Sequence, residues 1–219
     1  MAETQDPKSL MQAVVIGASA GGIKALLEIL NVLPPDFAAA IMIVLHLHPH
    51  SNASDTAELF KRTCALPVRE AQDKETIVGG TIYLAPSNYH LLVEKDLTFA
   101  LSVDAKVNLS RPSIDVLFES AAEAFQQHLV GVVLSGASDD GAAGLRRIKN
   151  LGGQALVQTP ESAEYPLMPQ SALLQCETDA ILPPAEIGHW LENCSSNVTW
   201  SQVPDMAQNA IRQKGEGPK

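Results

Sequence analysis

The sequence predicts an α/β fold: a mostly parallel, doubly wound sheet with helices on both faces and an antiparallel hairpin insertion. Three observations carry that prediction. Ala13-Val14-Val15-Ile16, Ala40 to Leu45 and Leu129 to Leu134 are apolar runs without polar alternation, the pattern of strands buried on both faces. Helical periodicities lie between such runs. The stretch Val68 to Val103 instead breaks into short strand-like pieces separated by turn residues, as a hairpin region does.

The first strand stops at Gly17, and after Gly21-Gly22 the residues Ile23, Leu26, Leu27 and Leu30 recur at i, i+3, i+4 and i+7. That spacing predicts one apolar helix face, ended by Pro34-Pro35. The strand Ala40 to Leu45 follows, and a strand reached through a helix is most simply parallel to the first. Thr81 to Ala85, Leu91 to Glu94 and Leu97 to Val103 are the hairpin pieces, divided by Gly-Gly, Pro-Ser-Asn and Lys-Asp turns. From Pro112 the residues Ile114, Leu117, Phe118, Ala121, Ala122 and Phe125 read as helix, leading into the strand Leu129 to Leu134. A helix over 142–150 stops at Gly152-Gly153; strands near Ala155-Leu156-Val157 and Ala180-Ile181-Leu182 and a last helix over 186–192 complete the series. The expected organisation is a polar tail over 1–12, one domain over 13–194 and a weakly patterned tail over 195–219.

With 219 residues, 46% of them hydrophobic, the chain is long enough for a single domain with a substantial core. A net charge of −10 without a Lys/Arg cluster argues against nucleic acid and anionic membranes as partners. Met1 to Leu10 lacks the basic start and apolar run of a secretion signal, and no apolar run approaches membrane-spanning length, so a cytoplasmic protein is expected. Cys64, Cys176 and Cys194 are odd in number and widely spaced, which reads as reduced structural thiols.

Gly17-Ala18-Ser19-Ala20-Gly21 is a G-x-S-x-G between a strand and a helix, the context in which this motif thrusts a serine out at the strand's C-terminal end. The N–H of Ala20 would then point where negative charge develops on an attacked carbonyl. The competing structural reading makes Ser19 a mere helix cap in a tight turn. A dinucleotide-binding fingerprint is a further rival, but its central glycine is missing and His46 stands where an acidic ribose ligand would. His46 ends the second parallel strand and so opens on the same edge as Ser19, within reach for a general base. His46, His48 and His50 also share one parity, which suits a metal site, against Pro49 and the lack of a nearby carboxylate. Ser135 to Gly141 forms a third loop on that edge, where either Asp139 or Asp140 could orient the imidazole while the other caps the next helix. Spacing does not choose between them.

Gly-Ala-Ser-Ala-Gly-Gly at 17–22, Val-Asn-Leu-Ser-Arg-Pro-Ser-Ile-Asp-Val-Leu-Phe at 107–118 and Leu-Ser-Gly-Ala-Ser-Asp-Asp-Gly-Ala-Ala-Gly at 134–144 together resemble the CheB-type protein-glutamate methylesterases. The resemblance runs from about Val14 to Leu191 and includes Tyr-Leu-Ala-Pro at 83–86 and Met168-Pro169. It implies a catalytic triad of Ser19, His46 and Asp140, with the backbone N–H groups of Ala20 and Ala137 as oxyanion donors. Two departures stand out: the family usually has Met at the position of Ala137 and commonly Thr at that of Ala20. Family members often carry a receiver domain ahead of this one, whereas here the first strand starts within about a dozen residues, so control by an attached receiver is not expected.

What the resemblance implies chemically is hydrolysis of glutamate methyl esters on the cytoplasmic helices of methyl-accepting chemotaxis receptors, with deamidation of glutamine by the same route. No cofactor and no metal is required. Arg111, Met168 and the loop 161–169 are the expected border of a shallow substrate groove, and a methyltransferase or a separate response regulator are further expected partners. The alternatives are an interaction module of the same fold with weakened catalysis, signalled by Ala137, and metal-dependent hydrolysis through the three histidines.

Overall fold

The computed structural model describes residues 11–47 and 53–195. Its main sheet has seven strands in the order β3-β4-β2-β1-β7-β8-β9, all parallel: β1 (Ala13–Ala18), β2 (Ala40–Leu45), β3 (Val68–Glu70), β4 (Ile82–Leu84), β7 (Leu129–Val133), β8 (Gln154–Gln158) and β9 (Ala180–Leu182). The helices are α1 (Gly22–Leu30), α2 (Ala53–Thr63), α3 (Ile114–Phe125), α4 (Ala142–Asn150), α5 (Leu167–Gln175) and α6 (Pro184–Ser195). A separate antiparallel pair, β5 (His90–Val93) and β6 (Phe99–Ser102), forms the hairpin.

Strand parity builds two cores. Ala13 and Val15 of β1, with Met42, Val44, Val133 and Val157, face a layer made by α3, α4, α5 and the hairpin. Val14, Ile16 and Ala18, with Ile41, Ile43, Val132 and Leu156, face Leu26 and Ile29 of α1, Phe60 of α2 and Ile187 and Leu191 of α6. Every residue of β1 is therefore buried, and unbroken apolar character is what that position demands. Each fully buried Val, Ile or Leu contributes roughly 1.5–3 kcal/mol, which is why the central strands need no polar alternation.

Four expectations need correction. The piece Thr81 to Ala85 supplies β4 of the parallel sheet rather than the hairpin, and β3 pairs with it. At three residues each these strands are too short for a burial pattern to be read, and in β3 only Val68 is buried. On α1 the buried face is Gly22, Ala25, Leu26, Ile29 and Leu30, while Ile23 and Leu27 border a surface cavity; the helix carries further apolar residues, Ala25 and Ile29, beside the expected face. Residues 161–169, expected as a loop, run through a 3-10 turn (Pro160–Ser162) into α5. Met11 and Gln12, placed in the tail, are held: Met11 is buried and Gln12 bonds to both His128 and Ala40 through the backbone. The remainder of both expected tails, residues 1–10 and 196–219, lies outside the described residues, as do His48, Pro49 and His50.

The strand order positions the site. From β1 the chain moves outward to β2, passes on to the edge strand β3, inserts β4 between β3 and β2, and then returns to place β7 on the other side of β1. That reversal leaves a crevice at the C-terminal ends of β1, β2 and β7, where ligands of doubly wound sheets bind. Ala18 pairs with Leu45 and Gly17 with Val133, so Ser19, His46 and Ser135 leave the sheet at one level.

Candidate active site

Ser19 sits in the turn between β1 and α1. Gly21 takes φ 74°, a conformation that costs glycine nothing, and Gly22 N–H donates to Ser19 O at 2.9 Å to close the turn. Because Gly21 is the N-cap of α1 and no side chain caps that helix, Ser19 is free of the capping role. The Ser19 N–H donates to Ser135 O at 3.0 Å, tying the turn to the β7–α4 loop. Gly136 of that loop comes so close that a Cβ there would lie 2.9 Å from Ser19 Cβ.

His46 is positioned by its backbone N–H, which donates to Ala18 O at 2.9 Å, one residue before the serine. Its Nε2 lies 3.1 Å from Asp140 Oδ2, with the ring side chain 14% exposed and the carboxylate fully buried. The separation is that of an ion pair, but the ring N–H is off the line to the oxygen, and among the described residues Nε2 has no aligned hydrogen-bond partner. Nor does a hydrogen bond join the Ser19 hydroxyl to the ring among the described residues. Without substrate, catalytic hydrogen bonds are commonly long or misaligned and tighten on binding. Ser19, Ala20, Gly21, Leu45, His46 and Glu164 border a cavity of about 570 Å³, and His46 also borders a second of about 650 Å³ beside Arg111 and Leu109.

Asp140 stands immediately before Gly141, the N-cap of α4, yet it caps a different helix. Its Oδ2 accepts from Ile114 N–H at 2.8 Å, and its Oδ1 accepts from Asp115 N–H at 3.0 Å, Ser113 Oγ at 2.8 Å and Asn108 Nδ2 at 2.9 Å. The carboxylate thus lies on the first turn of α3, where unpaired N–H groups and the helix dipole favour an anion. Burial is the largest influence and pushes its pKa upward, but the close His46 ring and donation from Ile114, Asn108 and Asp115 outweigh it and hold the group below its ordinary value. Asp115 returns the arrangement. Its Oδ1 accepts from Gly141 N–H at 3.0 Å and Gly144 N–H at 2.7 Å, so each of these two aspartates serves the helix N-terminus beside the other. Asp139, the other candidate acid, is exposed and gives its carbonyl to Ala142 N–H.

Neither Ala20 N–H nor Ala137 N–H is taken up by another protein group among the described residues, and Ala20 borders the serine cavity. Arg111 borders the second cavity with its guanidinium already engaged, donating to Asn88 Oδ1, Val103 O and Asp104 O. Met168 is 1% exposed and packs beneath Gly136, where it supports the loop rather than meeting solvent. Among the described residues no group of three metal-capable side chains forms, and His48 and His50 of the expected alternative lie outside them.

Sequence reasoning assigned no role to Asn108, Ser113, Asp115 or His90. Ser113 N–H donates to His90 Nδ1 at 3.2 Å while Nε2 of that buried ring lies 3.1 Å from Ala105 O, which fixes a neutral ring with its proton on Nε2. The first three lie in the 107–118 block that carried the resemblance, so a signal existed; spacing alone does not say that the block folds back onto Asp140.

A family model described as CheB methylesterase matches residues 14–191. A Leptospira interrogans serovar copenhageni protein, provisionally named protein-glutamate methylesterase/protein-glutamine glutaminase, is 48% identical over 171 residues, covering 78% of this chain and 88% of that one. A Burkholderia lata protein named protein-glutamate methylesterase/protein-glutamine glutaminase 3 is 38% identical over 182 residues; the match takes 82% of this chain and 50% of its relative, so the chain spans about half the length of that protein. The crystal structure of the Thermotoga maritima CheB methylesterase catalytic domain matches with a TM-score of 0.80 at 32% identity, covering 84% of this chain and 98% of that domain. A serine turn, a histidine and a buried aspartate on one sheet edge, within a fold and sequence of this kind, lead to one conclusion: the chain belongs to the CheB methylesterase family.

Proposed function

We propose that the chain is a serine hydrolase that removes methyl groups from glutamate methyl esters on the cytoplasmic helices of chemotaxis receptors, and deamidates glutamines there. The observation that carries this reading is the 3.1 Å approach of His46 Nε2 to Asp140 Oδ2 beside a cavity bordered by both Ser19 and His46. Ser19 Oγ attacks the ester carbonyl as His46 takes its proton, and the oxyanion forms against the N–H groups of Ala20 and Ala137. Asp140 holds the ring and stabilises its cationic form, His46 returns the proton to the departing methoxide, and methanol leaves. Water activated by the same ring then releases the glutamate carboxylate. With Nε2 turned to Asp140, Nδ1 is the nitrogen left for the serine. An amide carbonyl enters the same route with ammonia as the leaving group.

Support for a macromolecular substrate comes from the two adjoining cavities, which are bordered on one side by α1 and on the other by the Asn88–Arg111 wall. The deciding experiment measures methanol release from methylated receptor membranes by the native chain and by Ser19→Ala. The expected result is a loss of at least about a thousandfold at unchanged Tm. Equal rates would remove the triad assignment.

A further inference from the structure

Asp115 and Asp140 are buried, at 8% and 1% exposure, and they meet at one side chain. Asn108 Nδ2 lies 2.7 Å from Asp115 Oδ2 and 2.9 Å from Asp140 Oδ1. An amide nitrogen carries two hydrogens, one for each carboxylate, and the flipped amide would aim its oxygen at both anions, so the assignment is settled by pairing. Asn108 is held at φ 50° in a tight turn in which Val107 and Ser110 exchange both backbone bonds, at 3.2 and 2.9 Å. Asparagine tolerates that conformation and can still reach inward.

We propose that Asn108 is a positioning residue for the triad: its amide bridges the two buried aspartates, so that both stay close and Asp140 stays aimed at His46. Without a donor between them, two buried carboxylates repel, and one retains a proton. Ile114 and Asp115 N–H donate to Asp140 alone and Gly141 and Gly144 N–H to Asp115 alone, so among the described residues the Asn108 amide is the donor that joins the two carboxylates. Asp115 is the partner more ready to take a proton, pushed up first by burial and then by Asp140 and Glu119 against the donors from Gly144 and Asn108. The groups facing the pair are His46 from the end of β2, Ser113 and Asp115 from α3, with Glu119 one turn on, and His90 of β5 behind Ser113. The nearby cation, Arg111, is occupied by Asn88, Val103 and Asp104.

This inference rests on the serine-hydrolase reading for its catalytic part, and its test separates the two. Asn108→Gly keeps the positive φ and removes only the amide. For that variant kcat is expected to fall about ten- to hundredfold, the size of one lost hydrogen bond to a charged group, with KM unchanged. The acid limb of kcat/KM moves to lower pH, because a carboxylate pair that keeps a proton stabilises the imidazolium less. Carbon-13 NMR titration of the Asp115 carboxyl, independent of any activity, moves upward relative to the native chain. An Asp115 titration that does not move, or an acid limb that stays in place while only Tm drops, overturns the proposal and makes Asn108 a turn residue. If the native chain releases no methanol while the Asp115 titration shifts as expected, the bridge stands and the substrate reading falls.

Discussion

Replacing Asp140 with asparagine asks whether the buried carboxylate sets the proton on His46. The amide must choose an orientation. Oδ1 receives three donors, from Asn108, Ser113 and Asp115, so the amide oxygen takes that place. The NH2 group then occupies the place of Oδ2, facing Ile114 N–H at 2.8 Å and His46 Nε2 at 3.1 Å. Two donors now oppose each other at Ile114, which costs about 1–3 kcal/mol of stability. At His46 the NH2 donates, so Nε2 must be unprotonated and Nδ1 must carry the ring proton. That is the nitrogen the serine needs as acceptor. The expected loss is about 10,000-fold in kcat, a barrier rise of about 5 kcal/mol, with substrate binding little changed. Methanol release from methylated receptor membranes measures the rate, and nitrogen-15 NMR of His46 reads the tautomer. A folded variant within tenfold of native kcat, or one that keeps its proton on Nε2, would refute the reasoning.

Gly136→Ala tests the support beneath the serine: its Cβ would fall 1.8 Å from Met168 Sδ and 2.9 Å from Ser19 Cβ, and the expected outcome is lower Tm and lower kcat, about 1–3 kcal/mol in stability, with Met168→Ala in the same chain restoring Tm in part. Equal Tm for single and double variants would show that Met168 does not support the loop. Because Asp140 is held below its ordinary value, its contribution to stability is present above about pH 4 and lost as pH falls through the folded value; for Asp115, raised mainly by burial, the contribution is full below about pH 4 and lost as pH rises through the folded value. Between pH 3 and 7 the Tm of Asp140→Asn relative to native should therefore worsen as pH rises while that of Asp115→Asn improves, and slopes of the same sign would contradict the assignment. Leu109 is 92% exposed at φ 62° next to Asn108, so Leu109→Gly should gain about 1 kcal/mol, or about 2–4 °C in Tm. A lower Tm would mean that the Leu109 side chain holds the turn.

Much of this protein could be read from one-dimensional pattern because its physics is local or nearly so. Unbroken apolar character marks β1, β2 and β7, which are buried on both faces, and the bounds of α4 follow from apolar spacing and a following Gly152 at φ 87°. Ser19 and His46 were legible as neighbours because parallel strands send their C-terminal loops to one edge. Elements with little burial left little trace: among the described side chains of α2 Phe60 is the one large residue fully buried, and β3 and β4 are three residues each.

The sequence by itself determined the layered parallel sheet, a site at the C-terminal edge of its strands and the kinds of side chain delivered there. Spacing left Asp139 and Asp140 open and the resemblance pointed to Asp140. The physical difference between them is tertiary, since it arises from what folds back onto Asp140: the first turn of α3 and the Asn108 turn, 25–32 residues away in the chain. Only the tertiary structure decided which donors keep Asp140 charged, and that Met168 supports Gly136 while Arg111 holds loops together. Apolar burial repeats along a strand or helix and so leaves a period to be read. A hydrogen bond between distant loops depends on where two separate turns end in space, and no local period records that.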